Sequence, residues 1–108
     1  MTGAERLVVA LDTDSLDQAE TWVKELVGTV NRFKIGSRLF TAAGNKAVET
    51  VRRQGGEVFL DLKFHDIPQT VAHAVRAAQR LGVDAVSLHL LGGPDMVRAA
   101  ADVSPRPK

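Results

Sequence analysis

Four short apolar runs recur along this chain at nearly constant spacing, each carrying or ending in polar groups, and that recurrence leaves few folds open. Leu7-Val8-Val9-Ala10-Leu11 closes on Asp12, and Arg32-Phe33-Lys34-Ile35-Gly36 carries a lysine. Glu57 to Phe64 carries Asp61 and Lys63, and Ala85-Val86-Ser87-Leu88 closes on His89. The runs start near residues 7, 32, 57 and 85, so the steps are 25, 25 and 28 residues, one βα unit each. Near-continuous Val, Leu and Ile predict strands covered on both faces, as in a parallel sheet, rather than the strict alternation of a half-exposed hairpin.

The segments between the runs read as helices with legible ends. Ser15-Leu16-Asp17-Gln18 fits a capping box, and Leu16, Ala19, Val23, Leu26 and Val27 form an apolar stripe that stops at Gly28. Gly44 to Gln54 presents Ala47, Val48 and Val51 on one face before Gly55-Gly56, with Leu39 and Phe40 in a preceding turn. Pro68 suits the first turn of a third helix, in which Val71, Ala74, Val75, Ala78 and Leu81 recur at helical spacing up to Gly82. A fourth helix begins near Pro94.

Alternating βα units define an α/β fold, either an open doubly wound sheet or a closed (β/α)8 TIM barrel. Asp12, Lys34, Asp61, Lys63 and His89 all fall toward the carboxyl ends of different strands, where a barrel gathers its catalytic residues. Asp12-Thr13-Asp14-Ser15 stands where a nucleotide-binding sheet would carry a glycine fingerprint. Gly92-Gly93 before Pro94 fits either a plain turn or a small anion nest. A complete barrel typically needs about 250 residues. The 108 residues are therefore expected to form a single domain, 1–108, a partial barrel of four βα units, with Ser104 to Lys108 a loop leading toward further sheet.

The chemistry concentrates in Glu57-Val58-Phe59-Leu60-Asp61-Leu62-Lys63-Phe64-His65-Asp66-Ile67-Pro68. In a strand, residues i and i+2 share a face, so Asp61 and Lys63 project together while Leu60, Leu62 and Phe64 face the other way. Asp66 follows on the turn into the next helix. Charges leaving water cost several kcal/mol unless they are paired, so opposite charges set side by side are what such a site tolerates. An ion pair capping a strand end would give the same pattern.

Composition narrows the partners. With 14 basic and 13 acidic side chains and a formal net charge of +1, nothing points to nucleic acid or an anionic membrane. The absence of cysteine removes disulfides, thiolate zinc sites and a cysteine nucleophile, and agrees with a reducing compartment. No signal peptide or membrane-spanning run is expected.

Taken together, Leu7 to Asp12, Phe33-Lys34-Ile35-Gly36, the Asp-x-Lys-x-x-Asp-Ile-Pro pattern of Asp61 to Pro68 with Thr70, and Leu88-His89 before Gly92-Gly93 resemble the orotidine 5'-phosphate decarboxylases of the bacterial type. The likeness covers nearly the whole chain and corresponds to the family's N-terminal half. It implies loss of CO2 from orotidine 5'-phosphate to give uridine 5'-phosphate, the last step of new pyrimidine synthesis, in the cytoplasm and with no metal or organic cofactor. By the same resemblance Lys63 is the proton donor, Asp61 lies against the substrate carboxylate, and Lys34 holds Asp61 and the ribose. Asp12 binds a ribose hydroxyl. Asp66 is catalytic and, with Ile67 and Thr70, enters the site of the partner in a homodimer. A glutamine and an arginine that grip the phosphate belong to later strands, so the isolated chain is expected to be incomplete for activity.

Two other readings stay open. A related sugar-phosphate decarboxylase or aldolase shares Asp-x-Lys-x-x-Asp, but would carry Asp-x-Gly in place of Asp66-Ile67-Pro68, a glutamate near Lys34, and magnesium. A non-catalytic, self-associating half-barrel is the other. His73 reads as a solvated or packed helix residue, His65 as a side chain that orients its loop, and His89 as a supporting group. Trp22 and the phenylalanines read as core.

Overall fold

The computed structural model describes residues 3–103; the loop expected at Ser104 to Lys108 lies outside them. Strands β1 (Val9–Ala10), β2 (Arg32–Gly36), β3 (Glu57–Phe64) and β4 (Ala85–Leu88) form one parallel sheet in the order β1-β2-β3-β4. Helices α1 (Leu16–Leu26), α2 (Ser37–Ala43), α3 (Asn45–Arg53), α4 (Pro68–Arg80) and α5 (Pro94–Ala101) alternate with them. Each strand pairs with its successor in sequence. That is the order of a barrel wall, whereas a doubly wound sheet reverses at a switch point.

Local signals account for most of these boundaries. Ser15 Oγ accepts the Gln18 N–H at 3.1 Å, capping α1. Pro68 opens α4, which buries Val71, Val75 and Ala78. Between β2 and β3 the expected turn at Leu39 and Phe40 is instead a helix, α2, separated from α3 by Gly44 at φ 59°. A seven-residue helix is marginal alone; buried Leu39 anchors this one to the core. Gly93, at φ 91°, caps α5, and a Cβ at Gly92 would run into the Met96 side chain, so the glycine pair serves a tight turn.

β1 is shorter than its apolar run. It lies at the edge of the sheet with β2 as its neighbour, and Leu7 and Val8 stay exposed. Coverage on both faces also needs correction. Phe33, Ile35, Val58 and Leu60 face the helices and are buried, while the other face, with Lys34, Phe59 and Asp61 in matching register, is only partly covered among the described residues. Short apolar runs cannot distinguish a strand buried on both faces from one whose second face carries the chemistry. The core forms two clusters, one joining the sheet to α1, α2 and α3, the other joining Val71 and Val75 of α4 to Met96 and Ala100 of α5. Each large core side chain such as Phe33, Ile35 or Leu39 contributes about 1.5–3 kcal/mol. That packing holds the wall from which the charges project.

Candidate active site

Three strands converge on Asp61. The register of β2 with β3 sets Lys34 and Asp61 on one face, and Lys34 Nζ reaches Asp61 Oδ2 at 3.6 Å. Lys63 Nζ lies 3.1 and 3.2 Å from the two carboxylate oxygens. From β4, the Ser87 hydroxyl donates to Asp61 Oδ1 at 2.6 Å. The Asp61 side chain is 14% exposed, against 64% for Lys63, so an almost enclosed anion is held under a cation open to solvent. Donation from Ser87 holds the Asp61 carboxyl below its usual range; burial opposes this, and Lys63 and then Lys34 reinforce it.

Lys63 reaches Asp61 by an irregular route. Its φ is 50°, in the left-handed region, and the pairing of β3 with β4 shifts between Leu60 and Phe64. The expected same-face projection is thus achieved through a distorted strand end.

Two of the remaining expected residues gather beside Lys63. Lys63, Asp66 and Thr70 line one cleft of about 320 Å³ with Phe64 and His65. Asp66 Oδ1 accepts the Ile67 N–H at 2.7 Å, which fixes the turn into α4, and Ile67 is 63% exposed. Asp12 stands apart and exposed after β1, beside Leu11, whose N–H donates to the Lys34 carbonyl at 3.0 Å. Arg38 steadies that loop by pairing with Asp14 at 2.6 Å and donating to the Asp12 carbonyl at 3.3 Å. A smaller cavity of about 220 Å³, lined by Val8, Arg32, Glu57 and Asp84 among others, opens at the other end of the strands, away from the charges.

Sequence reasoning missed Ser87. Only the register reveals it: pairing Phe59 with Ala85 makes Ser87 the same-face counterpart of Asp61 two residues further on. The histidines are also organised: the His65 and His89 rings stack with centroids 4.9 Å apart, and His89 Nδ1 accepts the Leu91 N–H at 3.1 Å. His73 is exposed on α4. No cluster of three or more metal-ligating side chains and no helix long and apolar enough to cross a membrane occurs among the described residues.

A parallel α/β wall with a Lys-Asp-Lys cluster at the carboxyl end of its central strands defines a class, the half of a (β/α)8 barrel that bears a charged site. The model of the orotidine 5'-phosphate decarboxylase / HUMPS family matches residues 5–106, and the chain belongs to that family. Over 96 residues it is 52% identical to an orotidine 5'-phosphate decarboxylase of Trichlorobacter lovleyi, covering 89% of this chain and 40% of that relative. A crystal structure of an uncharacterized conserved protein from Geobacillus kaustophilus is 38% identical with a TM-score of 0.86, covering 94% of this chain and 51% of the other. One of orotidine 5'-phosphate decarboxylase from Lactobacillus acidophilus is 34% identical with a TM-score of 0.80, covering 93% and 48%. The chain thus spans about 40% of the curated relatives' length and corresponds to their N-terminal half.

Proposed function

We propose that this chain supplies the charged half of an orotidine 5'-phosphate decarboxylase, releasing CO2 to leave uridine 5'-phosphate in cytoplasmic pyrimidine synthesis. The observation that carries the reading is the Lys34–Asp61–Lys63 cluster, with Nζ–Oδ distances of 3.6 and 3.1 Å. As the carbon–carbon bond breaks, its electron pair stays on the ring carbon. A preorganised ammonium beside that carbon stabilises the developing charge, and Lys63 then delivers a proton to it, leaving a neutral amine that solvent reprotonates. Asp61 pairs with both lysines, holds them in place and lies against the departing carboxylate. Lys34 and Asp12 serve the ribose. Asp66, Ile67 and Thr70, on the exposed turn and first helical residues beside the cleft, extend into the site of a second subunit in a homodimer. No cofactor enters this scheme, since a lysine performs the protonation.

The phosphate grip belongs to later βα units in this proposal. Losing two or three charge-assisted contacts at about 1.5–3 kcal/mol each would cost several powers of ten in rate. The test is an ultraviolet assay of orotidine 5'-phosphate loss with the chain by itself and after co-expression with the C-terminal half of a related enzyme. Turnover in the mixture alone is expected. Efficient turnover by the chain by itself would overturn the division of labour, and none in either arm would overturn the activity.

A further inference from the structure

Between Leu60, paired with Val86, and Phe64, paired with Leu88, β3 advances four residues where β4 advances two. Extra residues in a strand lose their ladder partners and bend the chain. Lys63 absorbs the distortion at φ 50°, a conformation uncommon for a residue with a Cβ. Its N–H then donates to Ser87 Oγ at 2.9 Å, a side chain of β4 rather than a ladder carbonyl. The same hydroxyl gives its proton to Asp61 Oδ1 at 2.6 Å. A hydroxyl has one proton and two lone pairs, so both contacts are made at once.

We infer that Ser87 is a positioning residue of the charged site, its hydroxyl holding the Lys63 backbone in its left-handed turn and, by the same atom, fixing the Asp61 carboxylate against Lys34 and Lys63. For its effect on turnover the inference rests on the decarboxylase reading; for the two hydrogen bonds it does not. The charged groups facing Asp61 are Lys34 from β2 and Lys63 from β3, both cations. Ser87 is the neutral donor from β4. Its donation is the largest influence holding the Asp61 carboxyl low, which agrees with the short Oγ–Oδ1 distance.

The experiment compares the 108-residue chain with its Ser87→Ala and Ser87→Thr variants. The Asp61 carboxyl carbon is followed by NMR through the acid range, and amide hydrogen exchange is measured at Lys63 and Val58. Ser87→Ala is expected to raise the Asp61 titration midpoint and to speed Lys63 exchange about tenfold, while Ser87→Thr restores both. Val58, whose N–H donates to Asp84 Oδ2 at 2.9 Å, reports on the same strand and is expected to stay unchanged. In an enzyme completed with the later βα units, Ser87→Ala is expected to lower kcat by about ten- to a hundredfold with KM changed less than about threefold. Should Ser87→Ala fail to fold, Ser87→Cys, near in shape and a weak donor, carries the same expectations. An Asp61 midpoint that ignores loss of the hydroxyl, or that threonine does not restore, would overturn the inference. An inactive completed wild-type enzyme would overturn the decarboxylase reading, while the NMR arm would still decide the role of Ser87.

Discussion

Replacing Lys63 by alanine and by glycine separates two properties that the lysine combines, a cation and a left-handed backbone. Both changes remove Nζ and its contacts with Asp61. With the Lys63 side chain 64% exposed, the lost pair is worth about 0–1 kcal/mol and cancels between the two variants. The backbone term does not cancel. A residue with a Cβ at φ 50° carries about 1–2 kcal/mol of strain that glycine relieves, while the unfolded freedom of glycine takes back about 0.4–1 kcal/mol. Lys63→Gly is therefore expected to be more stable than Lys63→Ala by about 0.8 kcal/mol at the centre of those ranges. At a urea slope of about 1.5 kcal/mol per molar, its unfolding midpoint would lie about 0.5 M higher. Urea unfolding of both variants, followed by far-ultraviolet circular dichroism, decides the matter. A glycine midpoint at or below that of alanine would refute the claim that the wild-type turn is strained.

Lys63→Ala in the completed barrel is expected to nearly abolish decarboxylation while moving the thermal melt little; retention of more than about a tenth of wild-type turnover would remove Lys63 from its assigned role. Because the folded-state pKa of Asp61 lies below its usual 3.8, its contribution to stability is present above that value and disappears as pH falls through the folded pKa. Unfolding curves of wild type and Asp61→Asn are then expected to differ near neutrality and to draw together as pH falls below the usual carboxylate range, and a gap of constant size would contradict the coupling. The chain is expected to self-associate, because among the described residues β1 and β4 each have a single neighbour in the sheet and leave backbone groups at its edges in want of partners. Sedimentation velocity across a concentration series checks this, and a well-folded monomer at micromolar concentration would count against it.

What could be read from the sequence follows the strength of its local signals. Spacing, the Ser15 cap and Pro68 were enough to locate all four strands and the helices α1, α3, α4 and α5, because each depends on a few neighbouring residues. The helix α2 was not legible, since a seven-residue segment takes its stability from the core under Leu39 rather than from its own pattern. The shortness of β1 was hidden for the opposite reason: Leu7 and Val8 look like strand, but they stay exposed and the pairing with β2 begins at Val9. In the site, Asp61, Lys63 and Lys34 were legible as charges on one face. Ser87 was not, because serine is common in strands and becomes significant only once the β3–β4 register is known.

The irregular end of β3 is where the regular rules run out, and its geometry explains why. Two residues along a regular strand are separated by about 6.6 Å, more than twice the 3.1 Å between Lys63 Nζ and Asp61 Oδ1, so the lysine must lean back along the strand to make the pair. Alternate residues of a parallel strand bond opposite neighbours, and since the Glu57 N–H goes to the Asn31 carbonyl beside β2 while Val58 and Phe64 bond the β4 side, a regular ladder would aim the Lys63 N–H toward β2. Turning Lys63 to φ 50° releases that N–H to a hydroxyl which already touches Asp61. The backbone of the cation and the carboxylate of its partner are thereby tied through one oxygen atom. The site depends on a local departure from strand geometry that the packed core beneath β2 and β3 is stable enough to hold.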